Sequence, residues 1–233
     1  VDIKIIKFCN NCYFIYRKKK YLKMENEYII KLSETFLSDL SSIDKPNILE
    51  FGVRHGVSTK MFLNICEKND GFLYSVDIDD YRDKFKSDKW KFIHGRDDNF
   101  ELVEKFIPKK LDLIYIDSFH DADHVAKIFY HYYNFLKKNG LIIIDDISWL
   151  LYSKNNLRDN FNSEINNYET FNKILDIYNS NMDNFDLNYN FKSSGMAKIF
   201  KKNENQLNKY KKIITRTHSI KNFIRKTLRL FKI

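Results

Sequence analysis

Asn47-Ile-Leu-Glu-Phe51-Gly52-Val-Arg-His55-Gly56-Val-Ser-Thr59 is the stretch that decides the fold. An apolar run of strand type carries one acid, Glu50. Gly-x-x-x-Gly and a helical stretch follow at once. Glycine adopts positive φ and lets the backbone come close to a ligand, as a strand-to-helix turn over a cofactor requires. The turn is neither the G-x-G-x-x-G of dinucleotide sites nor the G-x-x-x-x-G-K-[ST] of triphosphate sites. Twenty-five residues after Gly52, a second strand-like run, Phe72–Val76, ends in Asp77. A carboxylate at the end of the second strand can accept hydrogen bonds from ribose hydroxyls.

Working outward, Glu25–Ile43 places Tyr28, Ile29, Leu32, Phe36, Leu37 and Leu40 at helical spacing, and Asp44-Lys-Pro-Asn47 ends that helix. Ser58–Cys66 reads as a helix and Trp90–His94 as a third strand closed by Gly95. Leu111–Ile116 is a fourth strand ending at Asp117. Asp121–Leu136 reads as a helix stopped by Asn139-Gly140, and Leu141–Ile144 as a fifth strand ending at Asp145-Asp146. Short continuous apolar strands suit a parallel sheet buried on both faces, and their alternation with helices predicts a doubly wound α/β fold. Beyond it, Trp149–Asn162 is polar and irregular, and Tyr168–Ile177 is helical. Phe185–Phe191 and Met196–Phe200 form an antiparallel hairpin around Lys192–Gly195.

The 233 residues fit one domain with extensions, and 43% apolar residues can bury a sizeable core. Two prolines and six glycines argue against a loop-rich chain. Cys9, Cys12 and Cys66 are a sparse, odd set that predicts free thiols and a reducing, cytoplasmic compartment. Ile3–Tyr16 is interrupted by Lys4 and Lys7 and is too short to span a bilayer, and no signal peptide is expected. Charge divides the chain in three. Residues 1–23 carry seven Lys/Arg and one Asp, and residues 203–233 carry nine and one Glu. With +9 overall, residues 24–202 are left at −5. The expected organisation is a basic extension (1–23), a mildly acidic domain (24–202) and a basic tail (203–233). An acidic body argues against a groove shaped for nucleic acid.

Asp77, Asp117 and Asp145-Asp146 all stand at the carboxyl ends of strands, where open α/β sheets bind ligands. Acids there often cap the next helix or face solvent. Carboxylates that converge repel one another unless a cation neutralises them, and an all-Asp set suits Mg²⁺, Mn²⁺ or Ca²⁺.

E-x-G-x-x-x-G at Glu50–Gly56 resembles motif I of the class I S-adenosylmethionine (SAM) methyltransferases. Leu111–His120 followed by Asn139–Asp146 resembles the metal-dependent O-methyltransferases, both catechol O-methyltransferase-like and sugar or macrolide enzymes. The likeness covers about residues 47–147 and, weakly, the hairpin. It implies a Rossmann-like class I sheet and the transfer of methyl from SAM to a hydroxyl of a small-molecule or glycan acceptor. It maps Asp117, Asp145 and Asp146 onto Mg²⁺ or a similar cation, and His120 onto the general base. Ser118 stands where that family has glycine. Glu50, Gly52 and Gly56 map onto the methionine end of SAM, Asp77 onto its ribose and Asp97 onto the adenine amino group, with Asp98 as the competing position.

Other readings stay open. Amino-methylating nucleic-acid enzymes carry a proline-containing tetrad where this chain has Asp117-Ser-Phe-His120. Ribose 2′-O-methylating enzymes need a buried lysine, and none is expected at these strand ends. An RNA methyltransferase using the basic tail, or a non-catalytic SAM-binding module, is the alternative. Asn203–Ile233 alternates Lys/Arg with Ile213, Ile214, Ile220, Phe223, Ile224, Leu228 and Phe231, which predicts a basic amphipathic helix. Such a helix meets an anionic membrane, its own domain or a second subunit.

Overall fold

The computed structural model describes residues 26–215 and 219–230. The basic N-terminal extension, with Cys9 and Cys12, lies outside the described residues.

Helix α1 spans residues 26–40, with a π-helical stretch at Ser33–Leu37. There follow β1 (Asn47–Phe51), α2 (Val57–Lys68), β2 (Phe72–Asp77), β3 (Trp90–His94), α3 (Phe100–Glu104), β4 (Leu111–Ile116) and α4 (Ala122–Tyr132). Then come β5 (Leu136–Asp145), α5 (Phe161–Asn179), β6 (Phe185–Asn190), β7 (Met196–Lys201) and α6 (Ile220–Leu230). The strands form one sheet in the order β3-β2-β1-β4-β5-β7-β6. The first five run parallel, and β7 lies antiparallel between β5 and β6. The doubly wound sheet with its terminal hairpin is therefore as the sequence predicts. Strand order reverses between β1 and β4, so the turns after these two strands flank the crevice where ligands bind.

Side chains alternate across the sheet. Ile48, Leu113, Tyr115, Leu141 and Ile143 pack on Leu32, Phe36 and Leu40 of α1 and Phe62 and Cys66 of α2. Leu49, Phe51, Ile114, Ile116, Ile142 and Ile144 pack on Val125, Phe129 and Tyr132 of α4 and Ile174 and Ile177 of α5. Both faces are covered, and each fully buried large apolar side chain contributes about 1.5–3 kcal/mol.

Two expectations are corrected here. Asn139-Gly140 does not stop a helix. Helix α4 ends at Tyr132, a 3₁₀ turn covers Tyr133–Phe135, and β5 already begins at Leu136. Leu136 is fully buried and pairs with Leu111, and Asn139 takes the positive φ where the β4–β5 register shifts. Nor is the tail a single helix. Residues 203–215 are non-helical and lie along the domain. Lys211 N–H donates to Ser180 Oγ (3.0 Å), and Ile213 N–H donates to Asp176 Oδ1 (2.8 Å). Leu207 and Tyr210 pack on the core. Among the described residues of the tail, Ile220–Leu230 is helical.

Candidate active site

Gly52, just after β1, has φ +97°, and a Cβ there would lie 2.1 Å from the Asp117 carbonyl oxygen. The turn after β1 thus touches the turn after β4, and only glycine fits between them. Asp77, ending β2, holds the glycine turn from the side. It accepts from the N–H groups of Val53 (2.7 Å), Arg54 (3.3 Å) and Asp79 (3.0 Å). That uses three of about four carboxylate acceptor positions and leaves room for one more donor. Glu50 is fully buried and does not line the cleft, so it cannot contact a ligand there in this structure. It accepts from Ser58 Oγ (2.6 Å) and Ser75 Oγ (2.7 Å), tying α2 and β2 to β1 beneath the turn. Burial pushes its carboxyl up to about 7, against the pull of the serine hydroxyls.

The turns enclose a cleft of about 680 Å³. One half is lined by Gly52, Gly56, Asp77, Ile78, Asp97 and Phe119. Asp97 accepts from Ser118 Oγ (2.5 Å) and pairs with His124 Nε2 (2.9 Å). Asp98 does not line the cleft. It pairs with Arg96 (2.8 Å) and Lys127 (3.1 Å), and Arg96 above all holds its carboxyl well below the usual carboxylate range. Of the two competing acids, Asp97 is the one that faces the cleft.

The other half is lined by Tyr28, Asp117, His120, Asp146, Tyr152 and Arg158, with Asp145 at its wall. Ligand atoms of Asp117, His120 and Asp146 lie within 4.8 Å of one another. His120 Nε2 stands 3.3 Å from Asp146 Oδ2 and 3.7 Å from Asp117 Oδ1. Asp146 has φ +57° and is held by its N–H to the Gly195 carbonyl (3.1 Å). A non-glycine residue in that conformation costs about 1–3 kcal/mol, a strain typical of functional sites. Asp145 does not join this group. Its Oδ1 pairs with the fully buried Lys31 ammonium, and its Oδ2 accepts from Tyr115 OH (2.7 Å). The expected absence of a buried lysine is corrected: Lys31 reaches this strand end from α1.

Burial, then the charges of Asp145 and Asp146, hold the Asp117 carboxyl well above its usual range. Tyr28 OH lies 2.9 Å from Asp117 Oδ2 and 2.7 Å from Tyr115 OH. The contacts Asp117–Tyr28, Tyr28–Tyr115 and Tyr115–Asp145 share two hydroxyl protons. A proton on Asp117 completes the chain, in accord with its raised pKa.

Residues 49–147 match the model of a family described as "Methyltransferase domain". They span less than half of the chain and resemble a methyltransferase domain, on a sheet of the class I fold. No curated protein matches the chain. Among solved structures, a caffeoyl-CoA O-methyltransferase-like protein from Staphylococcus aureus is similar at 21% identity and TM-score 0.53. That alignment covers 76% of this chain and 82% of that one. MycE of the mycinamycin pathway, in complex with Mg and SAH, aligns at 19% identity and TM-score 0.51, over 70% of this chain and 46% of its own. The SAH-bound Podospora anserina methyltransferase PaMTH1 aligns at 18% identity and TM-score 0.55, over 67% and 72%. At these identities the likeness is one of fold.

The methyltransferase match starts at Leu49, after α1, and ends at Ile147. Tyr28 and Lys31 precede it, and Tyr152 and Arg158 follow it, so one side of the cleft is built by segments outside the match. Arg158 Nε is buried with no hydrogen-bond partner among the described residues, and its Nη2 stands 3.7 Å from Glu27. Sequence reasoning missed all four residues. A signal for Lys31 was available: Tyr28, Lys31 and Thr35 recur at i, i+3 and i+7, a polar line on the apolar face of α1.

Proposed function

We propose that this methyltransferase moves a methyl group from SAM to a hydroxyl oxygen of a small-molecule or glycan acceptor, with a divalent cation at Asp117 and Asp146. The observation that carries the reading is the Asp117–His120–Asp146 cluster, which opens into the same cleft as the glycine turn. The fit with a cation rests on donor chemistry. Two crowded carboxylates, one with a pKa raised by burial and then by its neighbours' charges, supply hard oxygen ligands suited to Mg²⁺ or Mn²⁺. Asp145, compensated by Lys31, supports the set from behind and is not counted in it.

Asp117 and Asp146 would hold the cation, which would supply Lewis-acid polarisation of an acceptor hydroxyl. His120 takes the proton, and the two flanking carboxylates stabilise the imidazolium that results. Asp77 receives the ribose through its remaining acceptor position. Gly52 and Gly56 admit the methionine end, Asp97 lies toward the adenine amino group, and Ile78 and Phe119 offer apolar walls. SAM brings an electrophilic methyl sulfonium, so alignment in the cleft supplies much of the rate.

The test is calorimetric titration of Mn²⁺ and of SAM into the wild type, Asp117→Asn and Asp146→Asn, with methyl transfer followed on sugar and phenol acceptors. Both variants lose Mn²⁺ binding and activity but keep SAM affinity. Full activity in excess EDTA overturns the cation, and the absence of SAM binding overturns the whole reading.

A further inference from the structure

Helix α6 separates its side chains by chemistry. At about 100° per residue, Ile220, Phe223, Ile224 and Leu228 fall within an arc of roughly 140°. Lys221, Arg225, Lys226 and Arg229 occupy the opposite side, and the helix holds no acid. The apolar side chains are 79%, 71%, 50% and 44% exposed, in that order. Among the described residues none of the four cations has a carboxylate partner. The segment before the helix is fixed along α5 by Asn208, Lys211 and Ile213. Among the described residues no helix is long and apolar enough to cross a membrane.

We propose that α6 seats on an anionic lipid surface, with its apolar face in the acyl boundary and its cations among the headgroups. Charge selects this occupant. A second copy of α6 would set four cations against four. Residues 1–23, themselves +6, would repel the helix in the same way. RNA would satisfy the cations but offers no apolar layer for Phe223 and Leu228. A bilayer interface with anionic lipid supplies both at once. The docking is independent of the methyl-transfer reading, because no cleft residue lies on α6.

The experiment is flotation of the full chain with phosphatidylcholine vesicles, with and without phosphatidylglycerol, at low and high salt. The protein floats only with the anionic vesicles, and salt releases it. Arg225→Gln with Arg229→Gln weakens the affinity about 30-fold, from two lost surface cations. Phe223→Ser with Leu228→Ser weakens it about tenfold or more. All four side chains stand clear of the core, so the variants melt with the wild type, which separates lost docking from lost folding. Equal flotation with neutral vesicles, or none with anionic ones, overturns the proposal. So does a concentration-dependent dimer that Phe223→Ser abolishes, or salt-sensitive RNA binding that Arg225→Gln abolishes while vesicles are ignored.

Discussion

Replacing Lys31 by methionine tests the electrostatic balance of the site. The Lys31 ammonium is fully buried, pairs with Asp145 and donates to Ser194 Oγ at 2.8 Å. Methionine fills similar space, so the cavity cost is small. What remains is a buried carboxylate with no counter-ion, at a cost of about 3–5 kcal/mol. For a chain of this size that lowers Tm by roughly 6–20 °C. Without its counter-ion the buried carboxylate is favoured in the neutral form. The variant's deficit therefore grows as pH rises through the carboxylate range and shrinks in acid. Lys31→Met with Asp145→Asn removes both charges and recovers most of the loss, because a buried pair replaced as a unit is close to neutral. Urea unfolding across pH, with the double-mutant cycle, measures each quantity. A single variant within about 1 kcal/mol of wild type, or a double variant no better than the single, refutes the assignment of Lys31 as counter-ion to Asp145.

Glu50 gives the wild type a pH signature of its own: with a folded pKa of about 7 above an unfolded one near 4.5, stability falls between those values as pH rises, by up to about 3 kcal/mol. Glu50→Gln flattens that slope in urea titrations, and an unchanged slope shows that burial does not raise the acid. Gly52→Ala drives a Cβ to 2.1 Å from the Asp117 carbonyl at positive φ and costs about 2–6 kcal/mol, read by the denaturation midpoint; a neutral effect disproves the contact. Cys66 is buried, with its thiol pushed up to about 12, so peptide mapping after iodoacetamide finds it unlabelled until the protein unfolds.

Much of the sheet was legible because its strands are buried on both faces. Leu111–Ile116, buried along its whole length, was bounded correctly, and so was the edge strand Trp90–His94, where Gly95 closes the run although Lys91 and His94 are exposed. Strand β5 was misjudged at its start because Asn139-Gly140 serves a positive-φ register shift as readily as a helix stop. Helix α5 starts at Phe161, before its apolar pattern shows, because Asn160 caps it. In the cleft, Asp77, Asp117 and Asp146 were named from strand-end position, which topology dictates, Gly52 from its turn, and Asp97 and His120 from the family resemblance alone. Lys31 and Arg158 were not, since no local pattern records that a lysine on a distant helix will neutralise one aspartate of an adjacent pair. The same cause misplaced Asp145. Spacing marks it as a neighbour of Asp146, but only the tertiary fold assigns its charge to another partner.

Helix α1 and the loop after β5 contribute Tyr28, Tyr152 and Arg158 to a cleft whose other side comes from the central strands, and Lys31 of α1 braces Asp145 behind it. These segments are tethered to the sheet by packing and a few polar contacts, and they carry no strand of it. Among the described residues, and apart from Tyr28 and Lys31, which hold Asp117 and Asp145, their side chains make no hydrogen bond or ion pair with the acids that end the strands. The two halves of the cleft thus differ in freedom: one is fixed to strands that build the sheet, the other rests on segments that carry none of it.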